Sequence, residues 1–530
     1  MNKRQIVLRS LMFSIILVVA GVSEGAIIKG PYLIYPGDNT EMMVLWQLDS
    51  SQSCSLEWGP DPNYSSGSIV TAEYGTDHQH KHTIPGLVPG SKYYYRVIVD
   101  VNEYPGSFRA APPADANAVR FLGYGDTRTN IFDHDMVNAA MIGTFEADPN
   151  YHTFTLLSGD WVDDGEEEED WTNEFFNPAA LNTRRLQANL PINGCIGNHE
   201  YDDDSTPRTY FDKYWPYPYV DGFYWSFDYG PVHIAVIDQY EKSYAFGSAQ
   251  YKWLRDDLRS TDREWVFLQL HEPGYSAGHH DDNDDVQQCI QPFCEEYKVD
   301  IVFCGHNHYY ARCDKNGVKH ITSGGGGAPL RDGSLNYSEY VEVYEKTNHF
   351  CKIDIRGDVL TFEAVKPDGT VIDHFVLQHP PAEAWEPTPA DGAINQSVDV
   401  VLSWNAGDCL FRHSIYLGED PVAVKNAGHS DPEWKYYYDP GDETFDPDVD
   451  GVDPQPLELW KTYYWRVDEI HWPYPVRCSK YPAITKGAVW SFTTGCELEG
   501  DINRDCVVDF RDIALLGNDW AKRKFFPNDF

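Results

Sequence analysis

Short runs in which apolar and polar residues alternate open the chain and return near its end. Residues 42–47 (MMVLWQ) and 91–100 (SKYYYRVIVD) have late counterparts at 400–405 (VVLSWN) and 461–470 (KTYYWRVDEI), the last followed by VWSFTT. The period of two, the β-branched and aromatic residues, and the Gly, Pro and Asp turns between runs predict antiparallel strands in two sandwich modules, with the Trp and Tyr rings in their cores. Between the modules the texture changes. Apolar runs such as 154–157 and 301–303 alternate with helix-like segments, and in 248–260 (SAQYKWLRDDLRS) Tyr251, Leu254 and Leu258 recur on one helical face. Such alternation predicts an α/β domain. Pro-rich stretches near residue 112 (AAPPADA) and at 379–392 (HPPAEAWEPTPADG) read as the linkers that bracket it.

The first residues have another character. Lys3, Arg4 and Arg9 precede an apolar run over 11–22, and small residues follow at Ser23, Gly25 and Ala26. The run is short for a membrane span, so residues 1–25 are predicted to be a cleaved export signal, with an uncleaved anchor as the alternative. Export implies a secreted, periplasmic or cell-surface protein, and no stable membrane span is expected elsewhere.

Composition narrows the partners. The 530 residues carry 83 acidic against 41 basic side chains, a formal net charge of -42. Such a surface repels nucleic acid and anionic membrane, and a phosphate site on it must supply its own positive charge. The 11 cysteines form no CxxC pair, which argues against a zinc ribbon. In an exported chain Cys289 with Cys294, or Cys496 with Cys506, are the close pairs available for disulfides.

Polar clusters stand directly after the strand-like runs of the middle region. VRFLGYGD ends on Asp126, FTLLSGD on Asp160 and WVFLQLH on His271, while INGCIGNHE carries Asn198 and His199 and DIVFCGHNH carries His306 and His308. Strand C-termini and their loops are where α/β folds build sites, and the Gly just before Asp126, Asp160, Asn198 and His306 permits tight turns there. Imidazoles with carboxylates suit Zn, Fe or Mn, and a carboxylate such as Asp160 can bridge two ions about 3.5–4 Å apart.

The order GD-x-R, GD-x-x-D-x-G, GNHE, H-x-P, GHxH resembles the calcineurin-like metallophosphoesterase superfamily, and within it the purple acid phosphatases. HEPGYS, GHNHYYAR, ITSGGGGA and YWSFDYGPVHIAVID are similar to further segments of that family, and the likeness spans about residues 27–378. It implies a purple acid phosphatase-type, fibronectin type III-like N-terminal β-sandwich at 26–113 before a central α/β (αββα-layered) metallophosphoesterase domain at 118–378. The internal repeat, whose two stretches both resemble fibronectin type III-like modules, adds a second β-sandwich at 386–495, and the chain ends in a short EF-hand-like tail at 496–523, making it a multidomain protein.

The resemblance also implies roles. Asp160 would bridge two metal ions, with Asn198, His271 and His306 completing one site and Asp126 and His308 the other. A metal-activated hydroxide would attack phosphorus, with His199 against the phosphoryl group. His279 and His280 follow His271 at nearly the family's spacing for another active-site pair, or belong to a solvated acidic loop. Two positions depart from the family. Asp163 stands where purple enzymes carry the tyrosine that colours them, and it would ligate an ion directly or through water. Arg128, which cannot ligate a cation, would grip a phosphate oxygen or pair with the acidic stretch DDGEEEED.

In the tail, Asp501, Asn503, Asp505 and Asp512 fall at positions 1, 3, 5 and 12 of a calcium loop, with the Val507 carbonyl at 7. The segment resembles one half of a dockerin, which implies Ca and either a cohesin-like or cell-surface partner or a lone calcium-ordered cap. The signal and this half-repeat together suggest a bacterial source. The function expected is hydrolysis of phosphomonoesters outside the cytoplasm. Phosphodiester hydrolysis at the same centre is the alternative, as is calcium-dependent scaffold binding with an idle catalytic domain.

Overall fold

The computed structural model describes residues 26–201, 210–439, 441–451, 454, 456–471, 475–495, 510–511 and 513–514. The expected export signal and the calcium ligands Asp501, Asn503, Asp505, Val507 and Asp512 lie outside the described residues. No described helix is long and apolar enough to cross a membrane.

The internal repeat is realised in the strands. The Met42–Leu48 strand runs between Ile27–Ile34 and Gln79–Ile84, and Leu402–Asn405 runs between Trp385–Thr388 and Thr444–Phe445. Each is the middle strand of a three-stranded sheet. Trp46 and Trp404, at matching places in the repeat, are buried in their modules' cores. Facing them, Tyr95 on Lys92–Val99 and Trp465 on Thr462–His471 come from the second sheet of each module. One apolar pattern thus packs the same pair of aromatic positions twice.

Two expectations are corrected. The stretch 379–392 is not a plain linker, because Trp385–Thr388 pairs with Leu402–Asn405 and the Trp385 indole donates to the Ala406 carbonyl at 3.1 Å. Its prolines are tolerated because the strand lies at a sheet edge. Cys289 and Cys294 are not paired but free. The disulfide among the described residues joins Cys409 to Cys478, distant in sequence and with Cα atoms 5.6 Å apart.

The central region stacks two sheets. Three parallel strands, Ala118–Tyr124, Thr155–Ser158 and Ile192–Cys195, form half of a six-stranded sheet completed by antiparallel Phe350–Arg356, Val359–Val365 and Val371–Gln378. In the other sheet, Val232–Val236, Trp265–Gln269, Ile301–Cys304 and Val318–Ser323 run parallel. Phe121 meets Phe267 edge-on at 5.6 Å between the sheets, and Phe154 and Phe303 join the same core. Helices cover the outer faces. Ile131–Ala147 buries Val137, Met141 and Ile142 on one side; Ala249–Ser260, capped by Ser248, buries Leu254 and Leu258 on the other. Full burial of each such side chain contributes roughly 1.5–3 kcal/mol. The inter-sheet layer, rather than the polar loops at its end, therefore carries the stability.

The N-terminal module docks by packing Tyr32 against Phe176 and Trp215 and Tyr35 against Tyr229 within the central core, and both flanking modules add polar contacts. On the N-terminal side the Tyr32 hydroxyl donates to the Tyr214 carbonyl at 2.9 Å, and the nearly buried Lys29 meets Glu168 at 2.7 Å. On the C-terminal side the turn Val476–Lys480, stapled by the disulfide, presents Arg477 to the Glu264 carbonyl at 2.8 Å and Lys480 to the Glu264 carboxylate.

Candidate metal centre

The parallel strands of both sheets end on the same side, and the polar clusters sit at those ends. Asp126 and Asp160 each stand two residues past a strand of the first sheet, and His271 and His306 two past a strand of the second. To turn their side chains inward, Asp126, Asp160 and His306 adopt left-handed backbone, with φ of 57°, 53° and 67°. That conformation costs roughly 1–2 kcal/mol for a residue with a Cβ. It is held here by hydrogen bonds between the loops: Asp126 N–H to the Gly159 carbonyl at 3.0 Å, Thr127 N–H to the Asp160 carbonyl at 2.9 Å, and His306 N–H to Asp126 Oδ1 at 2.9 Å.

The loops close on one another only because glycines line them. A Cβ at Gly159 would strike the His271 ring, one at Gly197 the Asp160 carboxylate, and one at Gly305 Asp126 Oδ2. At Gly159, φ of 82° adds a conformational reason for glycine.

The side chains that meet there form a compact donor set. Asp126, Asp160 and His271 offer ligand atoms all within 4.8 Å of one another. His271 Nε2 lies 3.0 Å from Asp160 Oδ1 and 3.1 Å from Asn198 Oδ1, and His306 Nδ1 lies 3.0 Å from the same Asn198 oxygen. His308 Nε2 approaches Asp126 Oδ1 at 3.5 Å. Two rings are oriented by carbonyls: His271 Nδ1 faces the Ser158 carbonyl at 2.7 Å and His308 Nδ1 the Pro329 carbonyl at 2.8 Å, which leaves Nε2 of each pointing inward.

This set fits cations on its own chemistry. Asp126 Oδ2 is fully buried and has no hydrogen-bond partner, a costly state for a carboxylate oxygen unless an ion completes it. Without an ion, burial pushes Asp126 well above the usual carboxylate range, whereas His271, against the burial, holds Asp160 below it. Burial disfavours the His271 imidazolium, but Asp160 outweighs it and raises the ring to about 10. Protons thus balance the charge that cations would otherwise balance, and uptake of an ion at these atoms must release them. His306 and His308 are held low, at about 2 and 4, chiefly by burial, so their rings are neutral and their lone pairs available.

The other expected residues fall at the rim. His199 points Nδ1 at the Asp163 carbonyl at 2.5 Å, and its Nε2 stands 3.8 Å from Asp160 Oδ2. His280 lies with its ring centroid 4.1 Å from that of His306 and donates its N–H to Asn307 at 3.0 Å, whereas His279 stands beyond it, 4.5 Å away ring to ring. Both residues are exposed at the rim; what burial they have, with the Arg331 charge, lowers the pKa of His279, and partial burial, then His279, then Arg331 lower that of His280. Arg128 takes the ion-pairing alternative. Its Nε donates to Asp160 Oδ2 at 3.2 Å and its Nη1 to Asp163 Oδ1 at 2.5 Å, the first acid of DDGEEEED. Asp163 is half exposed and engaged there, and it is not one of the clustered donor atoms.

Sequence reasoning passed over the residues that hold this geometry. Glu200, fully buried, accepts the N–H groups of Asp160, Trp161, Val162 and Gly197 at 2.7–3.2 Å. Burial and the Asp160 charge push it up to about 8, against the pull of those backbone donors. Gln239 Oε1 receives the N–H of both His271 and Glu272. Glu174 receives those of Thr129 and Asp163. Glu200 was visible as the last letter of GNHE. Gln239 and Glu174 lie outside every motif, and nothing in the sequence marks them.

Parts of the chain match known proteins. Residues 125–310 match the family described as calcineurin-like phosphoesterase, and residues 28–110 that described as the purple acid phosphatase N-terminal domain. Purple acid phosphatase 23 of Arabidopsis thaliana is 27% identical over 309 residues, half of this chain and 64% of that protein. Purple acid phosphatase 15 of the same plant is 26% identical over 281 residues, 48% of this chain and 51% of that protein. The chain therefore spans between half and two thirds of the length of these two relatives. Among solved structures, a purple acid phosphatase from yellow lupin (Lupinus luteus) seeds superposes with a TM-score of 0.54 at 18% identity, covering 66% of this chain and 74% of that one. This likeness is one of fold. Residues 28–110 thus resemble a purple acid phosphatase N-terminal domain and residues 125–310 a calcineurin-like phosphoesterase domain, and the homologues the chain matches are hydrolases by name.

Proposed function

We propose that the protein is an exported, metal-dependent phosphomonoesterase with a dinuclear centre. Asp160 with Asn198, His271 and His306 would hold one ion, and Asp160 with Asp126 and His308 would hold the other. The observation that carries this reading is the buried, partnerless Asp126 Oδ2 in a group of carboxylate and imidazole atoms that spans under 5 Å. Two cations of the Zn, Fe or Mn type, when bound, lower the pKa of a water towards neutrality and neutralise charge on phosphoryl oxygens.

The chain's own residues supply the rest. His199, with Nδ1 fixed by the Asp163 carbonyl, turns Nε2 towards the substrate side, where it stabilises the phosphoryl group or hands a proton to the leaving oxygen. His280 lines the same opening. Arg128 braces the outer oxygen of Asp160 and keeps Asp163 aside, so it acts by positioning. The C-terminal two-sheet region reads as a second fibronectin type III-like module and the tail as a single calcium loop; neither takes part in the hydrolysis.

The test is activity of the purified mature protein on p-nitrophenyl phosphate and bis(p-nitrophenyl) phosphate, with metal content measured on the same sample. About two ions per chain and faster turnover of the monoester are expected. A preference for the diester would replace the monoesterase reading, and protein free of transition metal would sink the centre itself.

A further inference from the structure

Arg331 is an exposed guanidinium with no ion pair or hydrogen bond to its side chain among the described residues. The chain as a whole carries a net charge of -42. Elsewhere in the central domain Arg120, Arg128, Arg263 and Arg312 are each ion-paired to a carboxylate. The adjacent acid, Asp332, is taken by Lys346 at 2.8 Å.

The position of Arg331 is fixed by the site. Its main-chain N–H donates to the His308 carbonyl at 3.0 Å, and two residues earlier the Pro329 carbonyl orients the His308 ring. The loop that bears it is tied to the one bearing His279 and His280, through Ser334 N–H to the Ala277 carbonyl at 2.7 Å and the Tyr337 hydroxyl to Asp281 at 2.9 Å. An unpaired, exposed arginine therefore sits on the loop that orients His308, outside the buried donor set, and that loop is tied to the one bearing His279 and His280.

Resting on the phosphoesterase reading above, we propose that Arg331 binds a second anionic group of the substrate, so that the site favours phosphate esters whose leaving group carries a further phosphate or carboxylate. The reacting phosphoryl group is met by the buried centre and His199, and Arg128 is consumed by Asp160 and Asp163. A guanidinium fork on the rim matches the planar oxygens of a distal carboxylate or phosphate. On an acidic surface it also supplies the local attraction that a doubly anionic ester otherwise lacks.

The test compares phenyl phosphate with 3-carboxyphenyl phosphate in the metal-loaded full chain, and measures equilibrium binding of the corresponding phosphonates, which are not hydrolysed. The wild type should favour the carboxylated member of each pair, by about threefold to fivefold for an exposed ion pair. Arg331→Gln should bring both ratios close to one, acting on KM, while Arg331→Lys keeps part of the preference. Added salt should erode it. Ratios unchanged in Arg331→Gln, or an equal loss for both members of a pair, would overturn the assignment to Arg331 while leaving the hydrolase reading intact. Absence of turnover of either ester by metal-loaded wild type would sink the hydrolase reading, and this proposal with it.

Discussion

Glu200 Oε2 receives the main-chain N–H of Asp160 at 3.0 Å, so a donor of the candidate centre is held in place by a fully buried carboxyl group. The same side chain holds Trp161, Val162 and Gly197. Glu200→Gln keeps the shape but sets an NH2 group against N–H donors. A loss of about 2–3 kcal/mol in urea unfolding is expected, with less metal retained after dialysis. An unshifted midpoint together with full metal content would show that these bonds do not matter.

Asn198→Ala and His306→Ala remove donors without touching the inter-sheet layer of Phe121, Phe154, Phe267 and Phe303. Turnover of a monoester should fall on the order of 100-fold or more. Far-ultraviolet circular dichroism should match the wild type. Loss of the dichroism signal in either variant would contradict the division between site and scaffold.

The C-terminal junction should be sensitive to pH. His379 stacks on Trp265 and sits between Glu264 at 3.0 Å and Asp300 at 2.8 Å, with Arg477 nearby. Burial opposes its charge, but the two carboxylates raise it to about 9, and His379 together with Lys480 lowers Glu264 to about 2. The histidine's contribution is complete below its unfolded value near 6.5 and is lost as pH rises through about 9. The glutamate's is present above about 4.5 and is lost as pH falls through about 2. The junction is therefore strongest between about pH 4.5 and 6.5. Thermal unfolding followed from pH 5 to 9.5 should show a falling midpoint that His379→Gln flattens; identical slopes would count against the pairing.

Colour provides another check. By the resemblance, Asp163 would stand where purple enzymes carry their colouring tyrosine, and Arg128 pairs with it. The iron-loaded protein should lack an iron–tyrosinate band in the visible, and finding one would show that a different tyrosine reaches the metal.

What the sequence made legible follows from how local each signal is. Asp126, Asp160, His271 and His306 could be read because each follows its strand by two residues, and the apolar run fixes where the strand ends. Leu254 and Leu258 could be read because helical spacing alone decides their face. Gln239 could not, since it acts through a side-chain bond to main chain more than thirty residues away. The Cys409–Cys478 bond joins cysteines 69 residues apart, a pairing that only the closed C-terminal module defines. Trp385–Thr388 was hidden by its prolines, which mimic a linker wherever an edge strand needs few ladder bonds.

The crowding around Gly159, Gly197 and Gly305 limits where this protein can change. A single added methyl group at any of the three would press on a side chain of the centre. Innovation is thereby pushed outwards, to segments such as 277–281 and 329–337 that surround the opening without forming its floor. An ancestor with this floor could acquire new clients by rewriting its doorway alone.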